Sequence, residues 1–188
     1  MEAKSFLLRI RGMDKKKRPF DVIGQLGALR RYARSLARNS SDAEDLVHDA
    51  LVKAYERKST FRTDANLRNW LLSIVHNTHI DRMRSAVARR RRDDAATLEV
   101  EPSYSAGQEH ALRLRQVREA FMALPEEQRE ALHLVAVEDL SYPEAADALG
   151  IPVGTLMSRV SRARARLRAF EDEVKRPGHL RLVGGDDD

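Results

Sequence analysis

The chain has 188 residues, enough for one large domain or two small ones with cores of their own. Its 34 Lys and Arg outnumber 29 Asp and Glu, a formal net charge of +5 that favours an anionic partner. Cysteine is absent, which excludes a disulfide framework, thiolate metal sites and a thiol nucleophile.

In chain order, the opening MEAKSFLLRIRGMDKKKRPF is apolar only across Phe6, Leu7 and Leu8. That is too short for the central region of a signal peptide, and residues 1–18 are expected to be flexible. No apolar run approaches the roughly 20 residues of a membrane helix, so no membrane partner is expected. In DVIGQLGALRRYARSLAR, residues Val22, Leu26, Leu29, Ala33 and Leu36 recur at steps of three and four and predict one apolar helix face. SDAEDLVHDALVKAYERK predicts a second helix, with Ser41 and Glu44 at capping-box spacing. NLRNWLLSIVHNTHIDRMRSAVARRRR predicts a third, lining up Leu67, Leu71, Ile74 and Thr78 with Trp70 beside them. On its polar side this reading places His76, Asn77, Asp81, Arg82 and Arg84, with Asp81 and Arg84 spaced for an intrahelical ion pair. His76 and His79 have the spacing of two metal ligands, but no third ligand is obvious, so neither a metal site nor a cofactor is expected.

Residues 93–108, DDAATLEVEPSYSAGQ, carry four acids and no basic residue, with Pro, Ser and Gly close together, and read as a linker between helical domains. Helical periodicity resumes at EHALRLRQVREAFMAL and continues, after Pro125, through PEEQREALHLVAVEDL. Ser141 and Glu144 open a short helix with capping-box spacing, and Gly150 closes it as a left-handed C-terminal residue. Pro152 then suits the first turn of a further helix. Two helices across a tight Gly turn make a helix-turn-helix unit. In LGIPVGTLMSRVSRARARLR the positions Val153, Leu156, Val160, Ala163 and Leu167 should pack inward. Thr155, Arg159, Arg162 and Arg166 follow the same rhythm on another face, with Ser158 beside them. Small polar groups and arginines in that order suit base edges and phosphates in a major groove; the alternative is a solvated basic face. No strand-like alternation occurs. The expectation is an all-α protein of two small helical domains, 19–92 and 109–171, joined by a flexible acidic linker at 93–108 and followed by a loose tail at 172–188.

Four blocks carry a resemblance: SDAEDLVHDALVKAYE, TFRTDANLRNWLLSIVHNTHIDRMR, LPEEQREALHLV and SYPEAADALGIPVGTLMSRVSRARARLR. In this order, across one acidic linker, they resemble the extracytoplasmic-function RNA polymerase sigma factors over roughly residues 20–170. The last block, with RPFDVIGQLGALRRYARSLARNSSDAEDLV, looks like the EcfG-type general stress-response subgroup.

The resemblance implies a cytoplasmic, non-enzymatic initiation factor whose partners are core RNA polymerase, promoter DNA and an anti-sigma factor of the NepR type, with no small-molecule substrate. It implies core-polymerase binding by Asp45, His48, Asp49 and Lys53, His48 standing where many relatives carry glutamine. For the −10 element it implies Phe61, Arg62, Thr63, Asp64, Asn66, Asn77 and Arg82, the STFRTDAN loop forming a pocket for a flipped base. Helix capping is the competing role for Asp64 and Asn66, and a core position that for Phe61. The run at 89–92 would meet phosphates or solvent. For the −35 element it implies Thr155, Met157, Ser158, Arg159, Arg162 and Arg166; Met157 replaces the Lys or Arg of many relatives and can pack on a thymine methyl but not pair with guanine.

Two rivals follow from the same motifs. A sigma-like mimic in a partner-switching pathway would carry an additional phosphate-receiver domain, for which the residues after the last helix are too few. A helix-turn-helix repressor or activator leaves the STFRTDAN loop unexplained. No nucleophile motif, phosphate loop or two-carboxylate metal pattern argues for an enzyme.

Overall fold

A computed structural model describes residues 20–37, 39–62, 65–90 and 108–175, and all regular structure among them is helical. After a 3₁₀ turn at Ile23–Gln25 come α1 (Leu26–Leu36), α2 (Ser40–Glu56), a second 3₁₀ turn at Lys58–Thr60, and α3 (Leu67–Arg90). Then follow α4 (Gln108–Met122), α5 (Glu126–Ala136), α6 (Tyr142–Leu149) and α7 (Val153–Lys175). The N-terminal segment, the linker up to residue 107 and the tail beyond 175 lie outside the described residues. Helix α7 runs to Lys175, past the boundary expected at 172.

Local chemistry explains the helix ends. The cap of α2 is Asn39 rather than Ser41: its side chain accepts from Asp42 N at 2.8 Å and its amide donates to the Asp42 carboxylate at 3.0 Å. Glu44, freed from capping, takes Arg30 at 2.9 Å. At α6 the expected box is present, Ser141 and Glu144 each satisfying the other's backbone N–H, and Gly150 closes the helix at φ 63°. Pro152 sits just before α7, where its carbonyl accepts from Thr155 and Leu156.

The predicted inward faces are largely buried: Val22, Leu29, Ala33 and Leu36 before and along α1, Leu71, Ile74 and Thr78 on α3, and Leu156, Val160 and Ala163 on α7. Val153, at the very start of α7, is 40% exposed instead, since the first turn projects past its neighbours. The α6 face is Ala145, Ala146, Ala148 and Leu149, small residues that let the helix lie close to α3, α5 and α7 at once.

The two expected domains share one apolar core, and α1 and α3 of the first half pack directly on α5 and α6 of the second. Polar ties reinforce the join. Arg129, 9% exposed, donates from α5 to Ser35 O of α1 at 2.5 Å and to the Met122 and Leu124 carbonyls. Glu138, between α5 and α6 and 1% exposed, accepts two hydrogen bonds from Arg31 at 3.0 Å, one from Arg68, and one from His133 at 3.3 Å. Asn69 donates to Glu144 at 2.7 Å. The residue after Glu138, Asp139, takes φ 55°, a left-handed turn that brings the chain round into α6.

Burial alone would raise the Glu138 carboxyl, but the hydrogen bonds from His133, Arg31 and Arg68 outweigh it and hold the group at about 2 instead of 4.5. A depressed carboxyl stabilises the fold above its unfolded value and loses that contribution as pH falls from 4.5 through about 2. Allowing for solvent around the half-exposed Arg31, the contribution is about 2 kcal/mol at neutral pH. Urea denaturation should therefore show Glu138→Gln less stable than the parent by about 2 kcal/mol at pH 7, with the gap closing between pH 4.5 and 2. An equal gap at both ends of that range would contradict the assignment.

Candidate nucleic-acid interface

The basic face of α7 has the expected layout, with one change. Arg162 and Arg166 are exposed and make no ion pair among the described residues, and Arg164 and Arg168 are exposed beside them. Met157 is 55% exposed on the same helix. Ser158 donates its hydroxyl to Thr155 O at 2.9 Å, so at rest it is satisfied within α7. Arg159 is 19% exposed in its side chain and pairs at 2.9 Å with Glu127 in the first turn of α5. A nucleic acid approaching Arg159 must therefore compete with Glu127.

The loop between α2 and α3 is partly described. Phe61 is half-buried and packs against Trp70, ring centroids 5.2 Å apart, and against Phe20 at 5.9 Å; it belongs to an aromatic cluster. Arg62 is exposed, and Thr63 and Asp64 fall outside the described residues. Asn66 caps α3, its side chain accepting from Arg68 N at 3.0 Å. The capping role weighed for Asn66 is thus the one its side chain fills. Asn77 is exposed on α3.

Along α2, Asp45 and His48 are exposed, one helical step apart. Asp49 and Lys53, one turn further each, turn toward α3. Asp49 accepts from Arg82 Nε at 3.0 Å and from its Nη2 at 2.5 Å, and Arg82 also donates to Asp45 O at 2.8 Å. Lys53 pairs with Asp81 at 2.9 Å, and its hydrogen bond and charge hold the Asp81 carboxyl below its usual value. Two residues expected to serve different partners, Asp49 and Arg82, thus hold each other. Asp81 meets α2 rather than forming the intrahelical pair with Arg84 as its main contact.

His76 is not on the polar side of α3 as the spacing predicted, and His79 is buried with it. They are 9% and 8% exposed and face α5. His79 Nε2 lies 2.7 Å from Glu126 Oε1, and His76 Nδ1 lies 3.5 Å from Glu130 Oε1. The sequence reading missed these contacts together with Arg31, Arg68, Arg129 and Glu138. An acid inside the apolar run LHLVAVEDL was the one visible signal, and it named no partner.

Residues 24–92 match the family described as Sigma-70 region 2, and residues 114–167 match Sigma-70, region 4. The chain is 38% identical over 157 residues to the ECF RNA polymerase sigma factor EcfG of Rhodopseudomonas palustris, covering 80% of this chain and 82% of that protein. It is 39% identical over 144 residues to the ECF RNA polymerase sigma factor SigM of Mycobacterium tuberculosis, covering 74% and 69%. Among solved structures it resembles the sigma factor RpoE of Bartonella quintana in complex with the anti-sigma factor NepR, at 35% identity and TM-score 0.71, over 81% of this chain and 94% of that one.

The Asp49–Arg82 pair gives a local test. Arg82→Gln and Asp49→Asn should be non-additive in thermal denaturation, with a coupling of about 0.5–1 kcal/mol as expected for a partly exposed pair. Additive effects would mean the pair does not persist in solution.

Proposed function

The chain belongs to the sigma-70 family, in its extracytoplasmic-function branch and of EcfG type, and we propose that it binds core RNA polymerase in the cytoplasm and directs initiation at general stress promoters, with no chemistry of its own. The observation that carries this reading is the presence in one chain of both matched regions, in order, the second ending in a Gly-turned helix with Arg162 and Arg166 exposed. The first half supplies the polymerase contact through the exposed Asp45 and His48 on α2, with Asp49 and Lys53 behind them. It also supplies the −10 contact through Arg62, Thr63, Asp64, Asn77 and the flank of α3, with Phe61 as an apolar wall and Asn66 setting the helix start. The second half lays α7 in the major groove at −35, where Thr155, Met157, Ser158 and Arg162 face bases and Arg159 and Arg166 reach phosphates or a further base. As an assignment of domains, 19–92 and 109–171 act as separate readers.

Geometry adds a requirement. Helix α6 touches both α3 and α7, so around α6 those two lie within about 20 Å of each other, two interhelical distances. Promoter elements near −10 and −35 are separated by about 85 Å of duplex at 3.4 Å per base pair. The packed arrangement cannot engage both, so the halves separate when the factor binds polymerase. In the packed form the Arg68–Glu138 and Asn69–Glu144 ties also cover the first turn of α3 beside the −10 loop. This is the form an anti-sigma protein of the NepR type would hold, a reading supported by the likeness to the RpoE–NepR complex across both halves.

Run-off transcription with purified core polymerase tests the function. Defined transcripts should appear only when the chain is present, and Arg162→Ala should lower them by about 10- to 100-fold, the effect of 1–3 kcal/mol of lost base contact. Asp45→Lys should lose transcripts through weaker polymerase binding while leaving the melting temperature unchanged. No transcripts from the folded, inhibitor-free chain would overturn the proposal.

A further inference from the structure

Two imidazoles three residues apart on α3, His76 and His79, face two carboxylates four residues apart on α5, Glu126 and Glu130. Each pair therefore shares one face of its helix, and the two faces meet across the join between the halves. His79, Glu126 and Glu130 each offer a ligand atom, and these three atoms lie within 4.8 Å of one another. We propose that His79, Glu126 and Glu130 form a site for a divalent transition ion of the zinc class, with His76 bracing the Glu130 carboxylate.

Three observations support it. First, the donor set of one imidazole and two carboxylates is one zinc accepts, and facing helices of a bundle commonly build such sites. Second, a tetrahedral zinc needs its ligand atoms about 3.4 Å apart, and the three atoms, within 4.8 Å of one another with His79 and Glu126 at 2.7 Å, bracket that spacing. Third, Glu130 is only 3% exposed, and its Oε1 and His76 Nδ1 are both buried without a hydrogen-bond partner among the described residues. A buried carboxylate oxygen left in that state is costly, and a cation would satisfy it. Because the ligands come from α3 and α5, a bound ion would tie the two halves together and favour the packed form.

The test is calorimetric titration of zinc chloride into the full, chelator-treated chain at pH 7.5. One ion per chain should bind, and excess magnesium should not displace it, since magnesium binds imidazole poorly. His79→Gln and Glu130→Gln should each weaken binding by at least roughly 100-fold, and His76→Gln by about 10-fold as an outer-shell partner. The exposed His48→Gln should leave it unchanged. X-ray absorption of the bound zinc should show imidazole nitrogen and carboxylate oxygen. Should the buried Glu130 variant fail to fold, the half-exposed Glu126→Gln carries the same prediction. Stoichiometric binding equally tight in the His79 and Glu126 variants would overturn the site. So would an absence of zinc uptake with only a pH-dependent change, which would make the cluster a set of protonated His–Glu pairs.

Discussion

One carboxylate, Glu138, decides how the two halves of this protein sit. It is fully buried in its side chain, yet it stays ionised because two guanidinium groups and an imidazole converge on it. Arg31 comes from α1 and Arg68 from α3, while His133 and Glu138 itself come from the second half. Separating the halves takes both arginines away and leaves only His133 beside the carboxylate, so the packed arrangement and the burial of Glu138 stand or fall together. Arg129 repeats the logic in reverse: a buried cation of the second half satisfies the last turn of α1 through Ser35 O.

Such a join can open. Beside the shared apolar core, its ties include charged and hydrogen-bonded groups that water or another partner can satisfy, as at a separable interdomain interface. Glu138, returned to water, gives up the roughly 2 kcal/mol that its arginines and His133 contribute. The apolar part of the join sets the rest of the cost, and polymerase binding on α2 together with DNA on α7 would have to meet it. The same residues that could face DNA or polymerase are held internally at rest, Arg159 by Glu127 and Asp49 by Arg82. A protein whose readers are occupied by its own acids has less affinity for arbitrary polyanions, and that favours binding only where both readers engage together.

Much of this was legible in the sequence because it is local. Periodicity at three and four residues located the apolar faces of α1, α3 and α7, and the Ser141–Glu144 box with Gly150 defined the turn before α7. Capping at α2 was misplaced by two residues because Asn39, Ser40 and Ser41 all suit the position, and only the structure shows which side chain meets Asp42 N. His76 read as a polar-face residue, and His76 with His79 as a metal pair lacking a third ligand, because their partners, Glu126 and Glu130, lie about 50 residues away across an acidic linker. Glu138 was silent for the same reason: Arg31 is 107 residues from it in the chain. A helix face can be counted from a sequence, but which face meets which charge is fixed by packing at long range.

The most direct measurement of the central claim uses the absence of cysteine in the chain. Spin labels at Ser41→Cys on α2 and Ala169→Cys on α7, both exposed positions, report the separation of the halves by pulsed double-resonance spectroscopy. The free protein should give one short distance, and the complex with core polymerase and promoter DNA a distance longer by tens of ångströms. The same short distance in the transcribing complex would contradict the account.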